Sequence, residues 1–291
     1  MVCSYPRAQM KLLTTIAEVR ELSGAARTQA SAIGLVPTMG ALHAGHLSLV
    51  RAARAKSELV IATIFVNPTQ FGPNEDYAKY PRNLESDLAL LQREGVDVVF
   101  APSVEEMYPA GSAATWVTVE GMSERLCGKS RPGHFRGVTT VVSKLFHMVE
   151  PDFAFFGQKD AAQVAIIRRM VRDLNMQVTI EVCPIVREPD GLALSSRNAY
   201  LNPDERRQAL TLYRSLMRVR EVFEQGEHGS EKLIACAREE FTRDPGVRLD
   251  YFEIVDPDTL DSQPRITKSA LAAVAAFVGN TRLIDNILLT P

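Results

Sequence analysis

Short apolar runs alternate with segments of helical periodicity over the first two thirds of the chain. Apolar residues at helical spacing predict helices over residues 41–56, 84–94 and 161–174. The runs between and around them predict buried strands at Ile33–Val36, Leu59–Val66, Val96–Ala101, Phe153–Phe156 and Val178–Ile185. Strand, helix and strand in this order form βαβ units, so the pattern predicts a Rossmann-like, doubly wound parallel sheet.

The pattern changes after Arg197, where helices are expected over residues 205–225 and 231–241 and short strands over 251–255 and 272–277. This mixture is typical of a smaller α+β domain. We therefore expect two domains, residues 1–186 and residues 187–291. In a doubly wound sheet, ligands bind at the carboxyl ends of the strands, and the motifs that follow the predicted strands should lie there.

Composition and charge narrow the class of protein. Hydrophobic residues make up 46% and charged residues 23% of the chain, which is ordinary for a globular protein. The net charge of -2 disfavours a nucleic-acid partner. The sequence has no apolar stretch of bilayer length and no apolar signal core, so we expect a cytoplasmic protein without a membrane partner. Its four cysteines include no C-x-x-C pair, which favours reduced thiols.

The first chemical motif joins the first predicted strand to the first predicted helix and contains His43 and His46. A spacing of three places both imidazoles on one helix face, and Gly45 between them leaves room for a phosphate. The helix N-terminus attracts anions, so a nucleoside triphosphate suits this site. The alternative is a pair of buried or solvated histidines at a helix start. Zinc is less favoured because no third ligand stands at a usual spacing.

Two further polar motifs follow later in the chain. Gly157-Gln-Lys-Asp160 comes directly after a strand, where Gly157 permits a tight turn and Lys159 can bind phosphate oxygens. Leu194-Ser-Ser-Arg-Asn198 follows the turn signal of residues 189–191, and its hydroxyls and guanidinium suit β- and γ-phosphates. Taken alone, the first motif is equally typical of a lysine on the protein surface. The second, taken alone, is equally typical of serines that cap a helix.

Together the motifs resemble those of the adenylate-forming branch of the nucleotidyltransferase superfamily, and the longer strings are similar to the pantothenate synthetase family. The resemblance runs in order from about Leu35 to the C-terminus, and residues 1 to about 10 form an extension outside it. The matching strings are Val36-Pro-Thr-Met-Gly-Ala-Leu-His-Ala-Gly-His46, Phe65-Val-Asn-Pro-Thr-Gln-Phe-Gly72, Arg131-Pro-Gly-His-Phe-Arg-Gly137, Phe156-Gly-Gln-Lys-Asp-Ala-Ala-Gln163 and Leu194-Ser-Ser-Arg-Asn198.

The resemblance implies a set of site residues. His46 matches the family's proton donor, with His43 and Lys159 as further catalytic residues, and Gln70 and Gln163 match substrate contacts. Asp87 is a candidate ligand for Mg²⁺. The implied ATP contacts are Met39, Gly40, Ala41, Leu42, His43, Ala44, Gly45, His46, Gly157, Gln158, Lys159, Asp160, Val186, Leu194, Ser195, Ser196 and Arg197.

The resemblance also implies the reaction. Pantoate would be activated by ATP as an acyl adenylate and then condensed with β-alanine, by a homodimeric enzyme that uses Mg²⁺. Two other functions share part of the pattern. A nucleotidyltransferase acting on a phosphorylated precursor would need a basic pocket where Gln70 and Gln163 stand. A nucleotide-sensing module would bind ATP without turnover and would not need Lys159 together with both histidines.

Overall fold

The computed structural model describes residues 9–73, 75–109, 111 and 113–291. Residues 1–8, which include Cys3 and most of the expected extension, lie outside the described residues. The chain forms two compact units. The first holds the described residues up to Val119, with Gly133–Gly157 and Met170–Cys183, and the second holds Glu120–Pro132, Gln158–Arg169 and Pro184–Pro291. The two contiguous domains expected from the sequence stay a prediction.

The first unit is built on a six-stranded parallel sheet, which confirms the predicted α/β fold class. The strands pair in the order β1-β4-β3-β2-β5-β6. They are β1 (Lys11–Leu13), β2 (Ile33–Thr38), β3 (Leu59–Ile64), β4 (Val98–Phe100), β5 (Phe153–Gly157) and β6 (Thr179–Cys183).

Ten α-helices occur in the described part of the chain. Those of the first half are α1 (Ile16–Thr28), α2 (Ala44–Lys56), α3 (Leu84–Arg93), α4 (Val104–Met107), α5 (Cys127–Ser130) and α6 (His134–Val149). The others are α7 (Ala161–Asp173), α8 (Pro203–Gln208), α9 (Leu210–Glu224) and α10 (Ser230–Thr242). Among the residues that the structure describes, none of these helices is long and apolar enough to cross a bilayer.

The order of the strands reverses at β2, which lies between β3 and β5. This reversal is the topological switch point at which such sheets bind ligands. β2 extends through Pro37 and Thr38, two residues beyond the predicted run. Proline has no N–H to offer to a neighbouring strand, and it is accommodated because β5 pairs only with Gly34 and Leu35.

Apolar side chains of α2 and α3 pack against the sheet and fix the loops at its carboxyl edge. Val50 and Ala53 of α2 and Leu91 of α3 are fully buried in one cluster with Val36 of β2 and Val99 of β4. At about 25 cal/mol per Å² of apolar surface removed from water, burial of each larger side chain stabilises the fold by about 1.5 to 3 kcal/mol. The start of α2 is therefore held rigidly against the end of β2.

The second unit contains a three-stranded antiparallel sheet of β7 (Val247–Val255), β8 (Ala270–Val278) and β9 (Thr281–Leu289). The central strand β8 is buried along almost its whole length because α9 and α10 contribute to the same core. The expected strands at 251–255 and 272–277 are found within β7 and β8, whereas β9 was not expected. Its signal is the Gly279-Asn280 pair between two apolar runs, which is typical of a hairpin turn.

Candidate active site

The turn from β2 into α2 uses left-handed backbone at two successive residues, Gly40 with φ of 80° and Ala41 with φ of 51°. The hydroxyl of Thr38 accepts a hydrogen bond from the Gly40 N–H at 3.2 Å. A Cβ at position 40 would lie 2.9 Å from Oδ2 of Asp87. Glycine is therefore required here for its backbone conformation and for the space it leaves.

Asp87 supports this turn from the first turn of α3. Its Oδ2 accepts from the Ala41 N–H at 2.9 Å and its Oδ1 from the Leu42 N–H at 2.8 Å, and the residue is 3% exposed. Within the described residues, no group of three or more His, Cys, Asp or Glu side chains is arranged to hold a metal ion. Asp87 is thus observed as a brace for the turn, and its ligation of Mg²⁺ stays a prediction.

His43 and His46 cap the start of α2 reciprocally. His43 is the N-cap residue in extended conformation, and its Nδ1 accepts from the Gly45 N–H at 3.1 Å. His46 Nδ1 accepts from the His43 N–H at 3.3 Å, and the two ring centroids are 4.1 Å apart. The expectation that both histidines are helical was wrong, because the left-handed turn delays the helix from residue 41 to Ala44. The rings still face each other.

The caps also determine where the imidazole protons are. Because each Nδ1 accepts a backbone N–H, the proton of the neutral ring lies on Nε2 in both residues. Each ring thereby has an Nε2–H donor at the N-terminus of a 13-residue helix. Two neutral donors beside the positive end of the helix dipole suit an anionic group on which charge increases during a reaction.

Gln70 lies in a short helical turn, Pro68–Gln70, after β3, and it is 9% exposed. Its Oε1 accepts from Asn67 Nδ2 at 3.1 Å, and its Nε2 donates to the sulfur of Met39 at 3.1 Å. Since β2 and β3 are adjacent parallel strands, the loops after them share one edge of the sheet. The structure thus brings Gln70 and Met39 together at this edge.

Asn67 orients Gln70 through a hydrogen bond to its amide oxygen. It was not identified as a site residue from the sequence, although it lies within the Phe65–Gly72 motif. It is 1% exposed, and its Oδ1 accepts from the Tyr108 hydroxyl at 2.9 Å while its Nδ2 also donates to the Gly137 carbonyl at 3.2 Å. Burial raises the pKa of the Tyr108 phenol, so this hydroxyl stays a donor. The available signal was the Asn-Pro pair directly after a strand.

The Arg131–Gly137 string explains how α6 approaches the Gln70 turn. A Cβ at Gly137 would lie 2.4 Å from the carbonyl oxygen of Thr69 and 2.6 Å from Cα of Gln70. His134 Nδ1 lies 2.9 Å from the carbonyl oxygen of Gln70. Because residue 137 is glycine, α6 can contact the Gln70 turn directly. This contact and the His134 ring both hold the backbone of Gln70 in place.

Gly157 ends β5 beside β2, but it does not form the tight glycine turn that the sequence suggests. A Cβ at this position would meet no atom within 4 Å, and the backbone is not left-handed. The chain instead continues into a single helical turn, Gln158–Asp160, and then into α7, where Gln163 is half-buried. Gln158 to Gln163 belong to the second unit.

The remaining predicted ATP contacts are joined within the second unit. The Leu194 N–H donates to the Val186 carbonyl at 3.0 Å, and the predicted turn between them forms with Gly191 at φ of 99°. Ser195 caps the turn Ser196–Tyr200 through a 3.3 Å bond from the Arg197 N–H to its Oγ. The capping role considered for these serines is thus observed for Ser195, and binding of phosphate stays a prediction for the segment.

The geometry separates the predicted residues into two sets. The first unit holds Met39–His46, Gln70 and Asp87 at the carboxyl edge of adjacent strands, with Gly157 at the end of the neighbouring strand. The second unit holds Gln158–Asp160, Gln163, Val186 and Leu194–Arg197.

Comparison with known proteins identifies the family. The chain matches the family described as Pantoate-beta-alanine ligase over residues 11–288. The pantothenate synthetase of Koribacter versatilis (strain Ellin345) is 60% identical to it over 280 residues, covering 96% of each chain.

Two solved structures are similar in fold. Pantothenate synthetase from Thermus thermophilus superposes with a TM-score of 0.91 at 48% identity, covering 97% of this chain and 100% of that one. Pantoate-beta-alanine ligase from Francisella tularensis, complexed with beta-gamma ATP and beta-alanine, gives a TM-score of 0.75 at 35% identity, with 96% and 97% covered. With a match across residues 11–288 and these identities, the chain belongs to the pantoate–β-alanine ligase family.

Proposed function

We propose that this chain condenses pantoate with β-alanine through a pantoyl adenylate. The observation that supports this best is the placement of two neutral histidine donors and a buried, oriented glutamine amide on one edge of the sheet in the first unit. The Francisella relative, complexed with an ATP compound and β-alanine, supports the choice of substrates.

The reaction proceeds in two steps. A carboxylate oxygen of pantoate attacks the α-phosphorus of ATP, the bond from that phosphorus to the bridging oxygen breaks, and pyrophosphate leaves. The amine of β-alanine then attacks the acyl carbon, the bond from that carbon to the AMP oxygen breaks, and the amine loses a proton as AMP leaves. The protein's contribution to both steps is positioning and charge stabilisation.

The first unit acts on the reacting phosphate and on pantoate. The loop Met39–His46 binds ATP, with the Nε2–H groups of His43 and His46 donating to the α-phosphate, where negative charge increases as pantoate attacks. His46, which matches the family's proton donor, shares its Nε2–H with this phosphate as a hydrogen bond. The amide of Gln70 binds pantoate and later the amine, because an amide can donate and accept without bringing a second charge.

Further predicted contacts belong to residues of the second unit. Lys159 contacts phosphate oxygens from the turn Gln158–Asp160, while Ser195, Ser196 and Arg197 bind the β- and γ-phosphates beside Leu194 and Val186. Gln163 provides a second contact to pantoate.

Mg²⁺ accompanies ATP in this proposal. The phosphates and water provide most of its ligands, as is usual for this ion. Asp87 fits as a protein contact because each of its carboxylate oxygens keeps a second lone pair after accepting one backbone N–H. The ion would neutralise phosphate charge when bound.

The test is a coupled assay of AMP formation with pantoate and β-alanine omitted in turn. Formation of AMP should require both substrates, and exchange of labelled pyrophosphate into ATP should require pantoate but not β-alanine. Exchange that depends on β-alanine would contradict the two-step scheme. A dinucleotide product would indicate the nucleotidyltransferase alternative, and binding of ATP without pyrophosphate release would indicate a sensor.

The assembly and cellular location belong to the same proposal. We expect a homodimer in the cytoplasm, in which residues 187–291 form the smaller domain. Light scattering of the purified chain measures the first expectation, since a monomer of 291 residues and its dimer differ twofold in mass.

A further inference from the structure

Asn286 on β9 is hydrogen-bonded to the turn that carries Lys159. Its Nδ2 donates to the carbonyl oxygens of Gln158 and Lys159, each at 3.0 Å, and its Oδ1 accepts from Gln158 Nε2 at 3.0 Å. Asn286 is 3% exposed. Both amide hydrogens and the amide oxygen are thus used on one short segment of chain, and all of these residues belong to the second unit.

The two carbonyl groups lie on either side of one α-carbon. The Gln158 carbonyl belongs to the peptide group before Lys159, and the Lys159 carbonyl belongs to the peptide group after it. Holding both peptide groups fixes the backbone dihedral angles of Lys159 and therefore the direction of its Cα–Cβ bond. The NH₂ group of Asn286 provides one N–H hydrogen for each of the two successive carbonyls.

The neighbouring residue on β9 anchors another predicted ATP-binding segment. Both oxygens of Asp285 accept from Arg187, at 2.6 and 2.8 Å, and Arg187 directly follows Val186. The Asp285 side chain is 3% exposed, so this is a buried pair with good bidentate geometry. This pair ties β9, next to Asn286, to the segment that carries Val186.

We infer that Asn286 is a positioning residue for Lys159, acting on the formation of the acyl adenylate without contacting a substrate. The inference rests on the proposed function, because it requires Lys159 to bind the triphosphate. Displacing a phosphate-binding group by about 1 Å can cost about 10²-fold in rate. Loss of the two carbonyl contacts should therefore slow adenylation, while aminolysis by β-alanine is unaffected.

The decisive variant is Asn286→Asp, which keeps the size of the side chain but replaces the donor nitrogen with an acceptor oxygen that faces two carbonyls. The rate of pantoate-dependent pyrophosphate release at saturating ATP should fall about 10²-fold, with the KM for β-alanine unchanged. In a Lys159→Ala background, the same change should produce no further loss, because two residues that act through one group are not additive.

Gln263→Glu is the matched control. Gln263 is a buried amide of the same unit, and its Nε2 donates to the Ser269 carbonyl at 3.2 Å. The control should lower the melting temperature while leaving the adenylation rate at the wild-type value. If Asn286→Asp does not fold, Asn286→Ala removes the same contacts without adding a carboxylate, and the same pair of backgrounds applies.

The results separate two failures. Wild-type chain that forms no AMP from pantoate and β-alanine would overturn the proposed function and this inference with it. An active wild type that Lys159→Ala slows, together with a folded Asn286→Asp at full rate, would overturn the inference alone. Equal losses from Asn286→Asp in both backgrounds would also overturn it, since Asn286 would then act independently of Lys159.

Discussion

Buried side chains from elsewhere in the fold orient the residues at the carboxyl edge of β3. Asn67 accepts a hydrogen bond from the Tyr108 hydroxyl and donates one to the Gln70 amide oxygen. Tyr108 therefore fixes Asn67, and Asn67 fixes the direction of the Gln70 amide. An amide fixed before the substrate binds has little rotamer entropy to lose. Under the proposed function, an amide held in this way can select a hydroxylated acid without carrying a charge.

Gln70→Leu should raise the KM for pantoate strongly and leave ATP binding in the absence of pantoate nearly unchanged. Leucine has similar bulk, but it leaves polar groups of the substrate unpaired at about 1 to 3 kcal/mol each. Steady-state kinetics with each substrate varied, together with a melting curve, measures this. Gln263→Leu is the control for loss of a buried amide elsewhere. A uniform defect for all three substrates with a lowered melting temperature would contradict the assignment.

Asp87→Asn should lower both the melting temperature and the rate of pyrophosphate release. The new NH₂ group would face the N–H of Ala41 or of Leu42, and leaving a buried donor unsatisfied costs about 1 to 3 kcal/mol. The turn that presents His43 and His46 would loosen. A titration with Mg²⁺ separates the two roles of Asp87, because an unchanged melting temperature with a higher Mg²⁺ requirement would mean that the carboxylate is mainly a metal ligand.

At the scale of elements, α6 depends on close contact with the Gln70 turn. Gly137→Ala would place a methyl group 2.4 Å from a backbone oxygen, so the helix or the turn must move. We expect a loss of about 1 to 3 kcal/mol in stability and a raised KM for pantoate. Gly24→Ala in α1 is the control, since a Cβ there meets no atom within 4 Å and should be neutral or stabilising. Calorimetry and kinetics on both variants test the difference.

The turn after β7 makes the second unit sensitive to acid. The ammonium of Lys268, and then the N–H groups of Asp258 and Thr259, hold the pKa of the Asp256 carboxyl below its usual range. The unfolded chain therefore binds this proton more readily, so the stabilisation is present above about pH 4 and is lost as pH falls through the folded value. Asp256→Asn should cost about 0.5 to 1 kcal/mol at pH 7. Urea unfolding should show that the difference in unfolding free energy between wild type and Asp256→Asn disappears near pH 2. A difference that stays constant with pH would show that this carboxyl does not cause the acid sensitivity.

Sequence patterns located most of the strands and helices that border the candidate site. α6 was not expected, although Arg136, Thr140, Lys144 and His147 recur every three or four residues as the polar stripe of an amphipathic helix, so its signal was present and was overlooked. β1 has three residues, too few for a pattern. Asn286 could not be found from local sequence, because its partners Gln158 and Lys159 stand about 127 residues earlier in the chain.

For the whole molecule, the division into units means that a fragment cut at residue 186 lacks parts of the unit to which it belongs. Residues 187–291 alone lack Cys127 and Lys129, which contact Tyr251 and Glu253, and they lack the Gln158–Asp160 turn that Asn286 holds. We expect the separate fragments 1–186 and 187–291 to unfold noncooperatively, whereas the intact chain melts in a cooperative transition. Circular dichroism of each fragment measures this, and a cooperatively folded 187–291 would favour the contiguous domains expected from the sequence.

The repeated passage of the chain between the two units also affects how the protein folds during synthesis on the ribosome. The chain passes from one unit to the other after residues 119, 132, 157, 169 and 183. The first unit lacks a strand of its sheet until β6 has left the exit tunnel, and the second unit needs β9, which emerges last. Once about 180 residues have been made, the remaining part of the 291 residues takes roughly 5 to 20 s to synthesise, and the cores stay incomplete during this interval. A chaperone that binds apolar segments would then protect the nascent chain from aggregation.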